Sequence, residues 1–240
     1  MFDDTHTQAR IGRLAFITAC CALVLGQLHA LARHQTADGQ DDLKSPLVRA
    51  WSDPARRALR PLLDWASPDV VYVTYGKVWL PIFTIFTLAA FAVHRRRSQT
   101  GAVRGAERWA WRLALTGYVV ACLAVGLEYW TQWGGVNQDL LDTIFLFSLP
   151  AILFMVLTTT FLGIVLIRRG LGLPAWLLAL VLPEAIAITS VTSMGNMVLP
   201  ICFAFGMLGR RLGSGHETLA NGRPTAAGEP DLAHETLGGR

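Results

Sequence analysis

Charge is scarce in this chain. Only 16% of its 240 residues are charged against 52% hydrophobic, and lysine occurs twice, at Lys44 and Lys77. So little polar surface argues against an ordinary water-soluble domain and for an integral membrane protein. Catalytic signatures are missing as well: there is no G-x-S-x-G, no H-E-x-x-H and no glycine-rich phosphate loop. No motif names a substrate or a reaction. The four cysteines, Cys20, Cys21, Cys122 and Cys202, form no CxxC or Cys/His ligand spacing, so they read as reduced packing residues and no metal or cofactor is expected. Haem finds no histidine pair, because His29 and His34 lie on different helix faces and His94 falls on the opposite side of the membrane. The net charge of +4 sits mostly in arginines at the ends of apolar runs, where it sets topology and gives no support for nucleic-acid binding.

What remains is a succession of long apolar runs. Residues 1–13 read as a polar cytoplasmic N-terminus and 14–32 as the first transmembrane span. Leu28-His29-Ala30 is a passable signal-cleavage site, but leucine and alanine continue beyond it, which favours a retained span. Residues 33–70 form one long external loop, balanced between six acids and six bases. Within it, Ser52-Asp53-Pro54 looks like a helix start, and the spacing predicts an amphipathic helix over about 54–66 lying on the membrane.

The second span covers 71–93 and is followed by His94-Arg95-Arg96-Arg97, which opens a basic cytoplasmic loop over 94–112. A third span, 113–130, leads into an external segment, 131–142, that lacks Lys and Arg. The fourth, 143–167, ends in a cytoplasmic turn at 168–173. From Pro174 to Gly209 the chain carries one ionisable residue, Glu184, in a run of roughly 50 Å as a single helix, against a hydrocarbon core of about 30 Å. Pro183, Gly195 and Pro200 interrupt it, so it is expected to form a broken helical hairpin, the fifth and sixth spans. Residues 210–240 read as a disordered cytoplasmic tail.

The expected fold is therefore an all-α membrane protein of about six segments plus one interfacial helix. The proposed inner segments hold fourteen Lys and Arg against six outside, placing both termini in the cytoplasm of a plasma-membrane protein. Candidate polar sites follow from depth. His29, Lys77 and Glu128 share one leaflet, where Lys77 and Glu128 could pair beside His29; alternatively Lys77 snorkels, Glu128 is hydrated and the surrounding aromatics form an interfacial belt. Glu184 lies near mid-membrane, either as a proton carrier or as a neutral group cross-linking helices through Thr158, Thr159, Thr160 or Gln27. The leading expectation is a non-enzymatic membrane subunit or accessory protein that binds lipid or a membrane-protein partner. A small transporter using Glu184 and an intramembrane enzyme using His29, Lys77 and Glu128 are the alternatives.

Overall fold

The computed structural model describes residues 5–213, and every regular element among them is helical. In chain order these are α1 (Thr5–Arg33), a 3-10 turn (Asp38–Lys44), α2 (Pro46–Ala58), α3 (Arg60–Leu63), α4 (Pro68–Gly76) and α5 (Trp79–Gln99). After them come α6 (Ala106–Trp130), α7 (Gln138–Arg168), α8 (Leu173–Ala179), α9 (Val181–Val191), a second 3-10 turn (Met194–Val198) and α10 (Leu199–Gly213). Four stretches are long and apolar enough to cross a membrane: His6–Arg33, Pro68–Gln99, Ala106–Trp130 and Gln138–Arg168. The α8–α9 pair, bent by 67°, makes a fifth if it is one span. The chain is thus a multi-pass, membrane-embedded helical protein. The tail expected from residue 210 is helical as far as Gly213, and 214–240 lie outside the described residues, as do 1–4.

The first helix is the hub, because its small residues recur at helical spacing. Gly12, Ala15, Ala19, Ala22 and Gly26 follow one another three or four apart, and the three alanines are buried. Helices in lipid gain nothing from hiding apolar surface from one another, so association rests on close backbone packing, which small residues permit. Here α10 runs antiparallel along that seam: Gly209 meets Gly12 backbone to backbone, and Gly206 lies against Phe16. The end of the bundle where α10 finishes is the basic end, carrying Arg97, Arg169 and Arg211. Arg211 there donates from Nη1 to the Leu171 carbonyl at 2.9 Å.

Three breaks in the long helices trace to prolines, which lack an N–H and push away the carbonyl four residues earlier. Pro81 follows the interruption at Lys77–Val78 between α4 and α5, and the Lys77 carbonyl that it frees accepts a bond from Trp130 Nε1 at 3.1 Å. Pro183 follows the 67° bend, and the corner at Ala179 is received by Gly163 of α7, where a Cβ would overlap the Ala179 backbone. Pro200 sits in the first turn of α10, where no N–H is needed.

The loop between α1 and α4 folds into a cap, with one correction to the expected pattern. Its helix starts at Pro46, not Pro54, and ends at Ala58, so Pro54 lies inside it. Serine before proline occurs at Ser45-Pro46, upstream of Ser52-Asp53-Pro54, and the first start prevails because it buries Val48 and Ser52. Trp51 ties this helix to the end of α9, donating from Nε1 to the Val191 carbonyl at 2.8 Å. Tyr75 in turn donates to the Leu62 carbonyl at 2.7 Å. His34 is buried under the cap with its ring 5.9 Å from that of Trp51, and burial, outweighing the nearby Asp42 carboxylate, holds its imidazole below the usual histidine range.

If the glycine seam holds the bundle together, Gly209→Leu should lower the thermal midpoint of the purified protein in detergent, at a cost of about 1–3 kcal/mol. Gly134→Ala serves as the control, since nothing stands within 4 Å of a Cβ there. Equal midpoints for Gly209→Leu and wild type would show that the seam is not what holds α1 to α10.

Candidate functional site

The seam of α1 does not end with its small residues. Counting on from Gly26 by three and four gives His29 and Arg33, so the helix face that meets α10 below meets the other helices near the capped end. His29 is 1% exposed. Its ring stacks on Tyr72 at 4.9 Å and meets the edges of Tyr129 at 5.4 Å and Trp79 at 6.0 Å. Two glycines make room for this packing: Gly76 is filled by the Tyr129 ring, and Gly26 by the Asn196 side chain and Trp79. The Tyr72 and Tyr129 hydroxyls stand 3.4 Å apart.

Glu128 lies beside this aromatic box, buried and within hydrogen-bonding reach of Tyr129. The cation whose field it feels is Arg33, which also interacts with Tyr72 and donates from Nε to Asp42 at 3.0 Å. His29 and Glu128 thus share Tyr129 as a neighbour, and Lys77 is elsewhere. Its ammonium stands 3.7 Å from the centroid of the Trp133 ring, a cation–π contact, and no Lys77–Glu128 ion pair occurs among the described residues. The interruption before Pro81 turns residue 77 toward the 131–137 segment.

Sequence reasoning missed Tyr72, Arg33 and Asn196. The first two were legible in principle, since Arg33 continues the α1 seam and Tyr72, Gly76 and Trp79 follow at spacings of four and three. Asn196 is reached only through the tertiary fold. Several polar atoms here have no hydrogen-bond partner: both His29 ring nitrogens, Trp79 Nε1 and both side-chain polar atoms of Asn196. Next to them is a cavity of about 30 Å³ lined by Trp79, Glu128, Tyr129, Met155, Met194 and Met197 among others. By size it admits about two or three water-sized species, at about 10–15 Å³ each.

Glu184 belongs to a different place. It lines an open groove of about 600 Å³ between α1, α9 and α10, whose walls include Leu23, Gln27, Ile188, Leu199 and Phe203. Of its expected partners only Gln27 shares this groove. Thr158 and Thr159 instead donate to the Phe154 and Met155 carbonyls of their own helix, and Glu184 Oε2 has no partner.

A third polar group, not anticipated, closes the basic end. Glu107, fully buried, accepts from Arg97 Nε at 2.7 Å and Trp111 Nε1 at 3.3 Å through one oxygen, and its other oxygen lies 3.1 Å from Arg169 Nε. It thus joins α5, α6 and the end of α7. Arg97, expected in a basic loop, is 2% exposed because α5 runs on to Gln99. No group of three or more His, Cys, Asp and Glu able to hold a metal occurs among the described residues.

With Lys77 on Trp133, the losses of stability in Lys77→Met and Glu128→Gln should add within about 0.5 kcal/mol in a double-mutant cycle in detergent. A larger coupling would place the two charges in contact. Set against known proteins, the chain matches no family model, no curated protein and no solved structure, so its function is to be read from these three sites.

Proposed function

We propose that the protein is a non-enzymatic membrane subunit or accessory protein that holds the hydrocarbon chain of a lipid in the groove between α1, α9 and α10. The observation that carries this reading is the groove itself: about 600 Å³, apolar-walled and open, on helices apolar enough to lie in a bilayer. That volume is in the range of small-ligand sites, and at membrane depth the species available to fill apolar surface is an acyl or isoprenoid chain. Among the groove's polar groups are Glu184 and Gln27, able to hydrogen-bond a hydroxyl or carbonyl of the bound molecule. A transporter built on Glu184 would need a water-lined route, and these walls are apolar. An intramembrane enzyme built on His29 and Glu128 would need room for a substrate, and the cavity beside them holds little more than water.

In the same reading the chain crosses the plasma membrane six times, with α8–α9 and α10 as the last two crossings and both termini in the cytoplasm. Gly209 against Gly12 and Arg211 on the Leu171 carbonyl support a return of α10 to the end where α1 starts. The distribution of Lys and Arg supports that end being the cytoplasmic one.

Two measurements test this. The protein, purified in mild detergent, should carry copurifying lipid visible by native mass spectrometry. Ala187→Trp, which fills the groove from its rim, should reduce that lipid at least tenfold while leaving the thermal midpoint near wild type; lipid retained equally by both would remove the groove from the account. For orientation, reporters inserted after Gly101 and fused after Gly213 should be cytoplasmic and one at Gly134 external. An external reporter after Gly213 would contradict six crossings.

A further inference from the structure

We propose that the small, partly open cavity beside Glu128 is a binding site for a soft monovalent cation, Cu(I) being the biological candidate. Three of the chain's five methionines line it. Met155 comes from α7, while Met194 and Met197 come from the second 3-10 turn. Side chains three apart eclipse one another on a 3-10 helix, so the turn presents both thioethers on one face. Glu128 contributes a carboxylate and Trp79 an indole, which attracts cations over its face.

Donor chemistry selects the ion. Calcium and magnesium require about six or more oxygen ligands, and here a carboxylate and a phenol are the side-chain oxygens in the lining. Thioethers are soft neutral donors that favour Cu(I) over zinc or the hard cations. The charge also fits, since one carboxylate in a low-dielectric site balances one positive charge and leaves a divalent ion half compensated. Arg33, the other cation that Glu128 feels, is itself paired with Asp42.

Packing alone does not explain the arrangement. Methionine is a flexible gap-filler, yet three of them border a void of about 30 Å³, large enough for a small ion and too small for a lipid. Trp79 Nε1 in the lining has no partner, nor have the His29 ring nitrogens and the Asn196 amide packed against Trp79 and Gly26, all on residues at most 1% exposed. Of these residues Trp79 lines the cavity, and His29, edge-on to it, and Asn196, at Gly26 beside the same indole, pack behind that wall. A route for the ion is available through Met194, which is 42% exposed while Met155 is fully buried.

The test uses Ag(I) as a redox-inert stand-in for Cu(I), titrated calorimetrically into the purified full chain, with bound silver counted by elemental analysis. Cys20 and Cys21 are exposed thiols that bind the same ion, so Cys20→Ala/Cys21→Ala is measured beside wild type. The double-alanine protein should still take up one equivalent of Ag(I). Met155→Leu and Met197→Leu, which nearly conserve volume, should each weaken that equivalent at least tenfold, and Trp79→Phe should abolish the accompanying change in indole absorbance. Uptake that vanishes with the cysteines, or that is indifferent to both methionine substitutions, overturns the proposal. The groove variant Ala187→Trp should leave Ag(I) binding unchanged, so the cation site and the lipid groove stand or fall separately.

Discussion

The close approach of α1 and α10 is the constraint on which the remaining structure depends. In water two apolar helices would be driven together by burial, but among acyl chains that drive is absent and contact must come from shape. Gly12 and Gly209 supply it at one end, Gly206 against Phe16 continues it, and Gly26 ends it by admitting Asn196. This sequence of contacts sets where α10 begins. It therefore also sets where the 3-10 turn ahead of α10 must lie, and so brings Met194, Gly195 and Met197 against Trp79. The same face of α1, two residues further along its spacing, carries His29 and Arg33 into the aromatic box. One helix face thus fixes the fold and the polar centre together.

Proline does the complementary work, by interrupting helices where a site is needed. Each interruption frees carbonyls that cannot be left bare in lipid. At Lys77 the freed carbonyl is taken by Trp130, and the break lets α4 bring Tyr72 to His29 while α5 brings Trp79. At Pro183 the consequence is a change of direction. The α8 segment packs along α10, whereas α9, beyond the 67° bend, touches it far less. The space left between them is the groove around Glu184. Here the broken helix makes an opening in a wall that two straight helices would have closed.

The apolar runs and their helical character were readable directly, because hydropathy is a local property that lipid enforces on every residue of a span. The weaker signals were those that two places in the sequence share. Serine before proline occurs at Ser45 and again, one residue removed, at Ser52, and it is the burial of Val48 and Ser52 that favours the first. Azimuth was not legible for Lys77, which a helix break turns onto Trp133. Azimuth was available for His29 and Arg33, since both continue the glycine and alanine spacing of α1. Glu107 gave no such sign. Its first-turn position on α6 suits a solvated acid equally well, and only the overrun of α5 to Gln99 brings Arg97 to it.

The two ends of the bundle treat buried polarity differently, and the difference separates structure from function. At the basic end Glu107 has a hydrogen bond or a cation at each oxygen, and removing any partner would leave a buried charge exposed to a low dielectric. Such a group is accounted for by folding alone. At the opposite end His29, Trp79 and Asn196 are as deeply buried, yet their polar atoms have no partner. An unsatisfied buried donor or acceptor costs about 1–3 kcal/mol, and apolar side chains of similar shape would avoid that cost without disturbing the seam. Of the three, Trp79 lines the cavity that also holds the thioethers and the single carboxylate, while His29 and Asn196 pack behind it.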